Sequence, residues 1–315
     1  TLRDLYLRYG FNQALKELDG GAPAVPGNVA EPAGDGTLRA TAAGFARSPG
    51  EDAAPLAVDP ALSAPGRYEC VLEPAQLDAW VDRLRAADEF AFDTETDSLD
   101  AMRANLVGLS LSVAPGEAAY VPLAHDYPGT PTQLPREQVL DALRPLLADP
   151  ARRKLGQHGK YDLHVLRRHG VDVAGYADDT MLESFVLNST ATRHDMDSLA
   201  RRYLGYETIH YEDVAGKGAK AIPFSQVAID DATRYAAEDA DVTLRLHRVL
   251  SEKLAAEPAL EKVYRQIEMP LVPVLARIEA NGVAIDVAEL RRQSNDLGTR
   301  MLAARQKAVA LAGHE

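Results

Sequence analysis

The chain has 315 residues, enough for one large or two medium domains, and its 46% hydrophobic and 26% charged residues are ordinary for a soluble globular protein. A formal charge of −13 argues against a general polyanion binder, and Cys70 as the only cysteine excludes an intramolecular disulfide and a cysteine-based zinc site. There is no apolar run long enough to span a membrane and no signal-peptide pattern, and a chain that starts at Thr1 reads as a piece of something longer. The charge is uneven: Arg152 to Arg202 holds nine Lys/Arg against seven Asp/Glu, a local strip that could meet a phosphate backbone.

Leu2 to Leu18 carries helical spacing interrupted by Gly10, which predicts one or two short helices. Gly20 to about Pro65 is rich in Gly, Ala and Pro and reads as a disordered linker. The folded core is expected to open with a short strand, Tyr68 to Leu72, then a helix from Pro74 with a Leu77, Trp80, Val81 and Leu84 stripe. Phe90 and Phe92 alternate with Glu89 and Ala91, the period of a half-buried strand that ends in Asp93-Thr94-Glu95-Thr96-Asp97. Leu106 to Val113 and Ala118 to Leu123 predict a hairpin around Pro115-Gly116. Pro135 opens a helix, a strand at Lys154 to Gln157 leads into a helix from about Tyr161 to His169, and the remainder is mostly helical. The predicted helices are Thr180 to Leu187, Asp197 to Leu204, Ile229 to Leu254 and Glu268 to Ala280, followed by a short strand at Val283 to Ile285 and a helix capped by Asp286. Gly216-Lys217-Gly218-Ala219-Lys220 lacks the spacing of a nucleotide-binding loop and marks a mobile loop. The fold class is α/β: a mixed central sheet with antiparallel hairpin strands, flanked by helices.

Side chains at i and i+2 leave a strand on the same face, so Asp93 and Glu95 point the same way. Two charges at ~4 Å repel by ~1 kcal/mol in water and ~4 kcal/mol at an effective dielectric of 20, and a divalent cation between them removes the conflict. Asp162 falls in the first turn of a helix, where the dipole alone favours an acid by ~0.3–1 kcal/mol. Tyr235 and Asp239 are four apart on one helix face, with Glu238 and Asp241 assigned to the solvated side. Four acids and a tyrosine on element ends that could converge fit two-metal phosphodiester hydrolysis, with hard oxygen ligands suited to Mg²⁺ or Mn²⁺.

These three segments resemble the exonuclease motifs of the DEDD superfamily in its tyrosine branch. With the flanks Asn105 to Leu111, Tyr120 to Asp126, Asp179 to Ser189 and Arg193 to Leu199, they are similar to the 3′–5′ proofreading exonuclease domain of bacterial DNA polymerase I, family A. Leu2 to Leu18 resembles the tail of that family's 5′-nuclease domain, and Ile267 to Asp286 the start of its polymerase domain.

The resemblance implies a ribonuclease H-like fold and a division into 1–19, a linker 20–66, an exonuclease domain 67–258 and a truncated polymerase start 259–315. It implies two divalent ions, Mg²⁺ or Mn²⁺ with Zn²⁺ admissible at one site. Asp93, Glu95 and Asp239 would hold the tighter ion and Asp93 with Asp162 the second. Tyr235 and Glu95 would position the attacking water. Leu99 would wedge between terminal bases, Phe224 would stack on the last one, and Gln157, Tyr161 and Arg193 would touch sugar or phosphate. His158 stands where members often carry Asn, and a tuned contact is expected there.

The implied partner is a single-stranded or frayed 3′ end of DNA, with a dNMP product, a monomeric protein, no membrane and a cytoplasmic, nucleoid-associated location. The residues read without the family leave blander roles open: Leu99 and Phe224 as packing residues, Arg193 as a salt-bridge partner of Asp195 or Asp197. A silent exonuclease-like module bracing a polymerase and an RNA-trimming nuclease are the alternative functions. No DNA synthesis by this piece is expected.

Overall fold

The computed structural model describes residues 62–190 and 192–313. The helices expected over Leu2 to Leu18 and the linker up to residue 61 lie outside the described residues. Among the described residues six strands form one mixed sheet: β1 (Arg67–Cys70), β2 (Glu89–Thr96), β3 (Leu106–Ala114), β4 (Glu117–Pro122), β5 (Arg153–Gly156) and β6 (Tyr176–Asp179). Their spatial order is β1-β4-β3-β2-β5-β6. The pairs β2/β3 and β3/β4 are antiparallel, and β1/β4, β2/β5 and β5/β6 are parallel. The acidic strand β2 is therefore central.

The predicted Pro115-Gly116 turn joins β3 to β4, with Gly116 at φ 80°, a left-handed conformation that glycine adopts without steric cost. β6 is not legible in the sequence, because Tyr176-Ala177-Asp178-Asp179 is short and half acidic. Conversely, Val283 to Ile285 is not a strand: the segment is exposed and pairs with no strand among the described residues, and an extended run without a ladder partner is a loop.

Helices α1 (Pro74–Ala86), α2 (Arg136–Leu147) and α3 (Lys160–Arg168) share one core with Phe90 and Phe92, through residues such as Trp80, Leu143 and Leu166. After α4 (Thr180–Leu187) and α5 (Met196–Leu199), a wide turn at Ala200–Leu204 leads to the short α6 (Tyr211–Ala215). The long α7 (Ile229–Ala255) then crosses the opposite face of the sheet, where Ala91 of β2 and Leu155 of β5 meet its Leu244. Both faces of β2 are thus covered, which corrects the half-buried expectation. The strand places large phenylalanines toward one layer and a small alanine toward the helix that packs close. The Gly216 to Lys220 segment, expected as a mobile loop, contains a single 3₁₀ turn at Gly218–Lys220.

Chain packing does not stop at the domain end expected near residue 258. After α8 (Pro258–Val263), the buried Tyr264 joins Leu254, Met269 and Val272 in a cluster that leans on Tyr176 and Leu182, and α9 (Met269–Asn281) buries Ala276. The last helix, α10 (Val287–Ala312), starts as predicted at Asp286, whose side chain accepts from the Glu289 N–H, and buries none of its residues. At the other end, the last linker residues are docked rather than loose. Ser63 Oγ donates to the Leu204 carbonyl at 2.6 Å, and the Arg245 guanidinium donates to the carbonyls of Leu62 at 2.9 Å and Ala64 at 2.6 Å. No helix among the described residues is long and apolar enough to cross a membrane.

Candidate active site

Asp93 and Glu95 emerge from β2 toward α7, on the same face as Ala91. Opposite them on β3 lie Ser110 and Gly108. Glycine is required at 108 because a Cβ there would stand 2.1 Å from the Tyr120 hydroxyl oxygen. The Tyr235/Asp239 face of α7 meets this strand end. Ligand oxygens of Asp93, Glu95 and Asp239 all lie within 4.8 Å of one another.

Asp162 enters from the other side, on α3, and lines the same cavity without belonging to that group of three. Its Oδ1 accepts from the Thr94 N–H at 3.0 Å and from the Thr94 hydroxyl. The side chain is buried, so its position answers to Thr94 and the cavity rather than to a solvated helix start. Sequence reasoning misses Thr94. It sits between the two strand acids and faces away from them, which is the face Asp162 reaches.

No lysine, arginine or histidine pairs with any of these four carboxylates among the described residues. Burial raises the pKa of each well above the usual carboxylate range. Repulsion from Asp239 adds to this at Asp93, and repulsion from Asp93, Asp239 and Asp162 at Glu95. Asp93 adds to it at Asp162, opposed by the Thr94 hydrogen bonds, and Glu238 adds to it at Asp239. Burial and the charges of Asp239, Glu95 and Asp93 hold the Tyr235 hydroxyl well above its ordinary value, so it is neutral near pH 7. The donor set tests well for hard divalent cations: several carboxylate oxygens, gathered, poorly solvated and without a protein counter-charge.

The cavity holds about 580 Å³, and the four acids and Tyr235 lie in its wall. Leu99 projects from the turn after β2 and is 94% exposed at the cavity rim, which rules out a core-packing role. Tyr161 fastens that turn by hydrogen bonds with Thr96 Oγ1 and the Ser98 carbonyl. Gln157 lines the cavity too, with its amide engaged at both ends, donating to the His194 carbonyl at 2.9 Å and accepting from Thr180 Oγ1. His158 is exposed, at φ 59°. That left-handed backbone is one that Asn, the residue the resemblance leads one to expect here, adopts readily, and histidine is among the few other residues enriched there.

Two expected contacts look different in three dimensions. Arg193 does not line the cavity; it pairs with Asp195 at 2.9 Å, the structural alternative raised above. Phe224, at the start of its 3₁₀ turn, is only 1% exposed. Tyr120, His125, Tyr211 and Tyr235 surround its ring, so the face expected to take a base is covered.

The acids assigned to solvent also move. Glu238 and Asp241 are 2% and 0% exposed. Glu238 accepts from the Tyr206 hydroxyl and from the Ile209 N–H, both at 2.6 Å. Asp241 accepts from Arg245 Nε at 2.9 Å, from the Tyr68 hydroxyl at 2.9 Å and from the Gly116 N–H at 2.7 Å. A second grouping, Asp178, Glu183 and His247, also has metal-ligand geometry. It is already neutralised. Arg153 reaches Asp178 at 2.6 Å, Arg265 pairs with the same carboxylate, and His247 Nδ1 contacts Glu183 Oε1 at 2.8 Å.

A family model described as 3′-5′ exonuclease matches residues 68–255. The DNA polymerase I of Pseudomonas aeruginosa is 58% identical over 250 residues, covering 79% of this chain and 27% of that protein. That of Rhizobium leguminosarum is 43% identical over 263 residues, covering 78% and 26%. The chain thus spans about a quarter of the length of these relatives. Among solved structures, the POL domain of Pol1 from M. smegmatis in complex with DNA primer-template and dNTP has a TM-score of 0.62 at 22% identity, covering 78% of this chain and 38% of that one. Brucella melitensis NrnC has a TM-score of 0.51 at 20% identity, covering 69% and 94%. These structural likenesses concern the fold.

Proposed function

Since this chain belongs to the 3′-5′ exonuclease family of bacterial DNA polymerase I, we propose that it removes nucleotides from the 3′ end of single-stranded or mispaired DNA with two divalent ions. The observation that carries the reading is the convergence of Asp93, Glu95 and Asp239, with Asp162 in the same cavity, and no cationic side chain among the described residues to match them. Asp93, Glu95 and Asp239 would hold one ion and Asp93 with Asp162 the other, with Mg²⁺ or Mn²⁺ preferred by the all-oxygen donor set. When bound, such a pair supplies charge stabilisation to the attacking and leaving oxygens of an in-line displacement.

The chain's own residues do the rest. Glu95, which lines the cavity together with Tyr235, positions the attacking water with it. Tyr235 stays neutral and orients that water through its hydroxyl, because burial and Asp239 keep it from ionising. Leu99 offers an apolar edge at the mouth of the cavity, and Tyr161 keeps the turn that carries it in place. His158 and the remaining Gln157 N–H are the nearby donors for sugar or phosphate. Selectivity for errors comes from the DNA, since a terminal mismatch unpairs at least cost.

Residues 67–258 are the exonuclease unit in this reading. The N-terminal 1–19 and the stretch 259–315 belong to flanking 5′-nuclease and polymerase domains of a longer DNA polymerase that works in replication and repair.

The test is a 5′-labelled single strand incubated with the chain in Mg²⁺, in Mn²⁺ and in EDTA. Stepwise shortening from the 3′ end with release of dNMP, present with metal and absent in EDTA, is expected. Shortening from the 5′ end, or none at all, would sink the proposal. A matched RNA strand run in parallel would reveal an RNA-trimming activity.

A further inference from the structure

α3, the helix that carries Asp162, is gripped from behind by the chain that follows residue 258. Side chains at i and i+4 share a helix face, and the one at i+2 leaves on the far side from both. Asp162 faces the cavity, so Lys160 and His164 face away from it. Both meet one carboxylate, that of Glu279 on α9. Lys160 Nζ reaches its Oε1, and His164 Nε2 lies 2.9 Å from its Oε2. Burial would raise the Glu279 pKa, but the hydrogen bonds from Lys160 and His164 hold it below the usual carboxylate range. An ionised carboxylate only accepts, so His164 Nε2 is the donor.

Ion pairs with an exposed member are ordinarily worth little, and the Glu279 side chain is 40% exposed. Three observations set this one apart. His164 is 5% exposed, so one partner is shut in. A cavity of about 300 Å³ lies between Leu163, His164 and Arg167 of α3 and Pro273, Ala276 and Arg277 of α9, so close packing does not fix the spacing of the two helices there. A second grip comes from the same stretch of chain: the Tyr264 hydroxyl accepts from the Asp179 N–H at 3.0 Å and donates to Asp178 Oδ1 at 3.2 Å. The Asp179 carboxylate in turn accepts from the His158 and Gly159 N–H groups at 3.2 and 3.0 Å, the corner from which α3 starts.

We propose that Glu279 is a positioning residue for Asp162. Through Lys160 and His164 it fixes the first turns of α3, and with them the carboxylate that completes the second ion site. The cutting site is then set in part by chain outside the unit 67–258. This rests on the exonuclease reading above and names a residue that sets the geometry of its site.

The experiment uses the full chain. Mn²⁺ binding is followed by the electron paramagnetic resonance of the free ion, with steady-state release from a single strand measured alongside. Wild type is expected to take two ions of unequal affinity. Glu279→Ala should weaken the looser ion roughly ten- to a hundredfold, the range typical of partners that orient a metal ligand, and leave the tighter one within about twofold. It should lower kcat with KM for the strand little changed. A merely structural loss lowers the number of ions bound without moving their affinities, and melting curves check for it. Glu279→Gln, which keeps the size and one acceptor oxygen, should lose less of the same quantities, and it carries the test if Glu279→Ala melts below the assay temperature. Glu279→Ala added to Lys160→Met with His164→Ala should cost nothing further, because the path is already cut. Additive losses overturn the proposal. So do a Glu279→Ala protein that binds both ions and turns over like wild type, equal weakening of the two ions, and a wild type that releases nucleotides with a single ion bound. Each of these leaves 3′-end cutting intact. A wild-type chain that binds no Mn²⁺ and releases no nucleotide sinks the exonuclease reading, and this inference with it.

Discussion

Asp239 and Asp241 leave opposite sides of α7, and among the described residues only Asp241 has a partner of opposite charge. Asp241 is shut away with Arg245, Tyr68 and the Gly116 N–H, so its charge is matched and its lone pairs are used. Asp239 joins Asp93 and Glu95, which bring more negative charge and no cation. The Asp178, Glu183 and His247 group repeats the first solution with Arg153 and Arg265. Burial of acids is therefore common to all three places, and does not mark a site. Leaving them unmatched beside an open cavity does, because such an arrangement costs stability in the free protein and is relieved by an added cation.

The largest effect that could break this contrast is on activity. Asp239→Asn should lower nucleotide release on the order of a thousandfold or more, about 4 kcal/mol of transition-state stabilisation, while the melting temperature holds or rises, since one unmatched charge is gone. Single-turnover kinetics and thermal melting on the same preparation decide it, and a matching collapse of the fold would refute the assignment.

On the matched side the pattern should invert. Arg245→Met leaves Asp241 buried without its counter-charge and should cost about 3–5 kcal/mol of stability, with turnover per folded molecule unchanged. Adding Asp241→Asn to that variant should recover part of the loss; additive losses in a denaturant titration would show that the two residues are not a pair.

Metal addition sharpens the comparison at a smaller scale. Mn²⁺ at about a hundred times its Kd should stabilise wild type and Arg245→Met by about 2.7 kcal/mol each, and Asp239→Asn by clearly less. Equal shifts in all three would place the ion elsewhere.

The smallest effect is on pH dependence. Burial raises Glu183 from 4.5 to about 7 against the lowering influence of His247, and His247 is raised by Glu183 although burial lowers it. Both groups bind protons more tightly folded than unfolded. Their contribution is therefore complete below the unfolded values and is lost as pH rises through about 7 for Glu183 and through the raised value for His247. Glu183→Gln should flatten the fall of stability around pH 7, where one proton is worth no more than about 1.4 kcal/mol per pH unit. An unchanged slope would contradict the pairing.

Much of this is legible beforehand because it is written in local periodicity. Helix Pro74–Ala86 follows from its Leu77, Trp80, Val81 and Leu84 stripe, the hairpin from Pro115-Gly116, and the shared face of Tyr235 and Asp239 from their spacing. Asp93 and Glu95 share a face because strand geometry allows nothing else. β6 escapes because its four residues become a strand only beside β5. Val283 to Ile285 misleads in the other direction, since β-branched residues without a neighbouring strand have no ladder to join.

The order of residues settles which of them could take part: the succession of elements, the acids at their ends, and the direction in which each side chain leaves its backbone. Which acids are matched and which ring is open depends on the folded arrangement alone. The Tyr68–Asp241 contact joins residues 173 positions apart, and the Phe224 face is closed by Tyr211 from another element. The physical reason is range. Backbone geometry acts over a few residues, whereas neutralising a charge or covering a ring depends on whichever distant segment the sheet and α7 bring alongside.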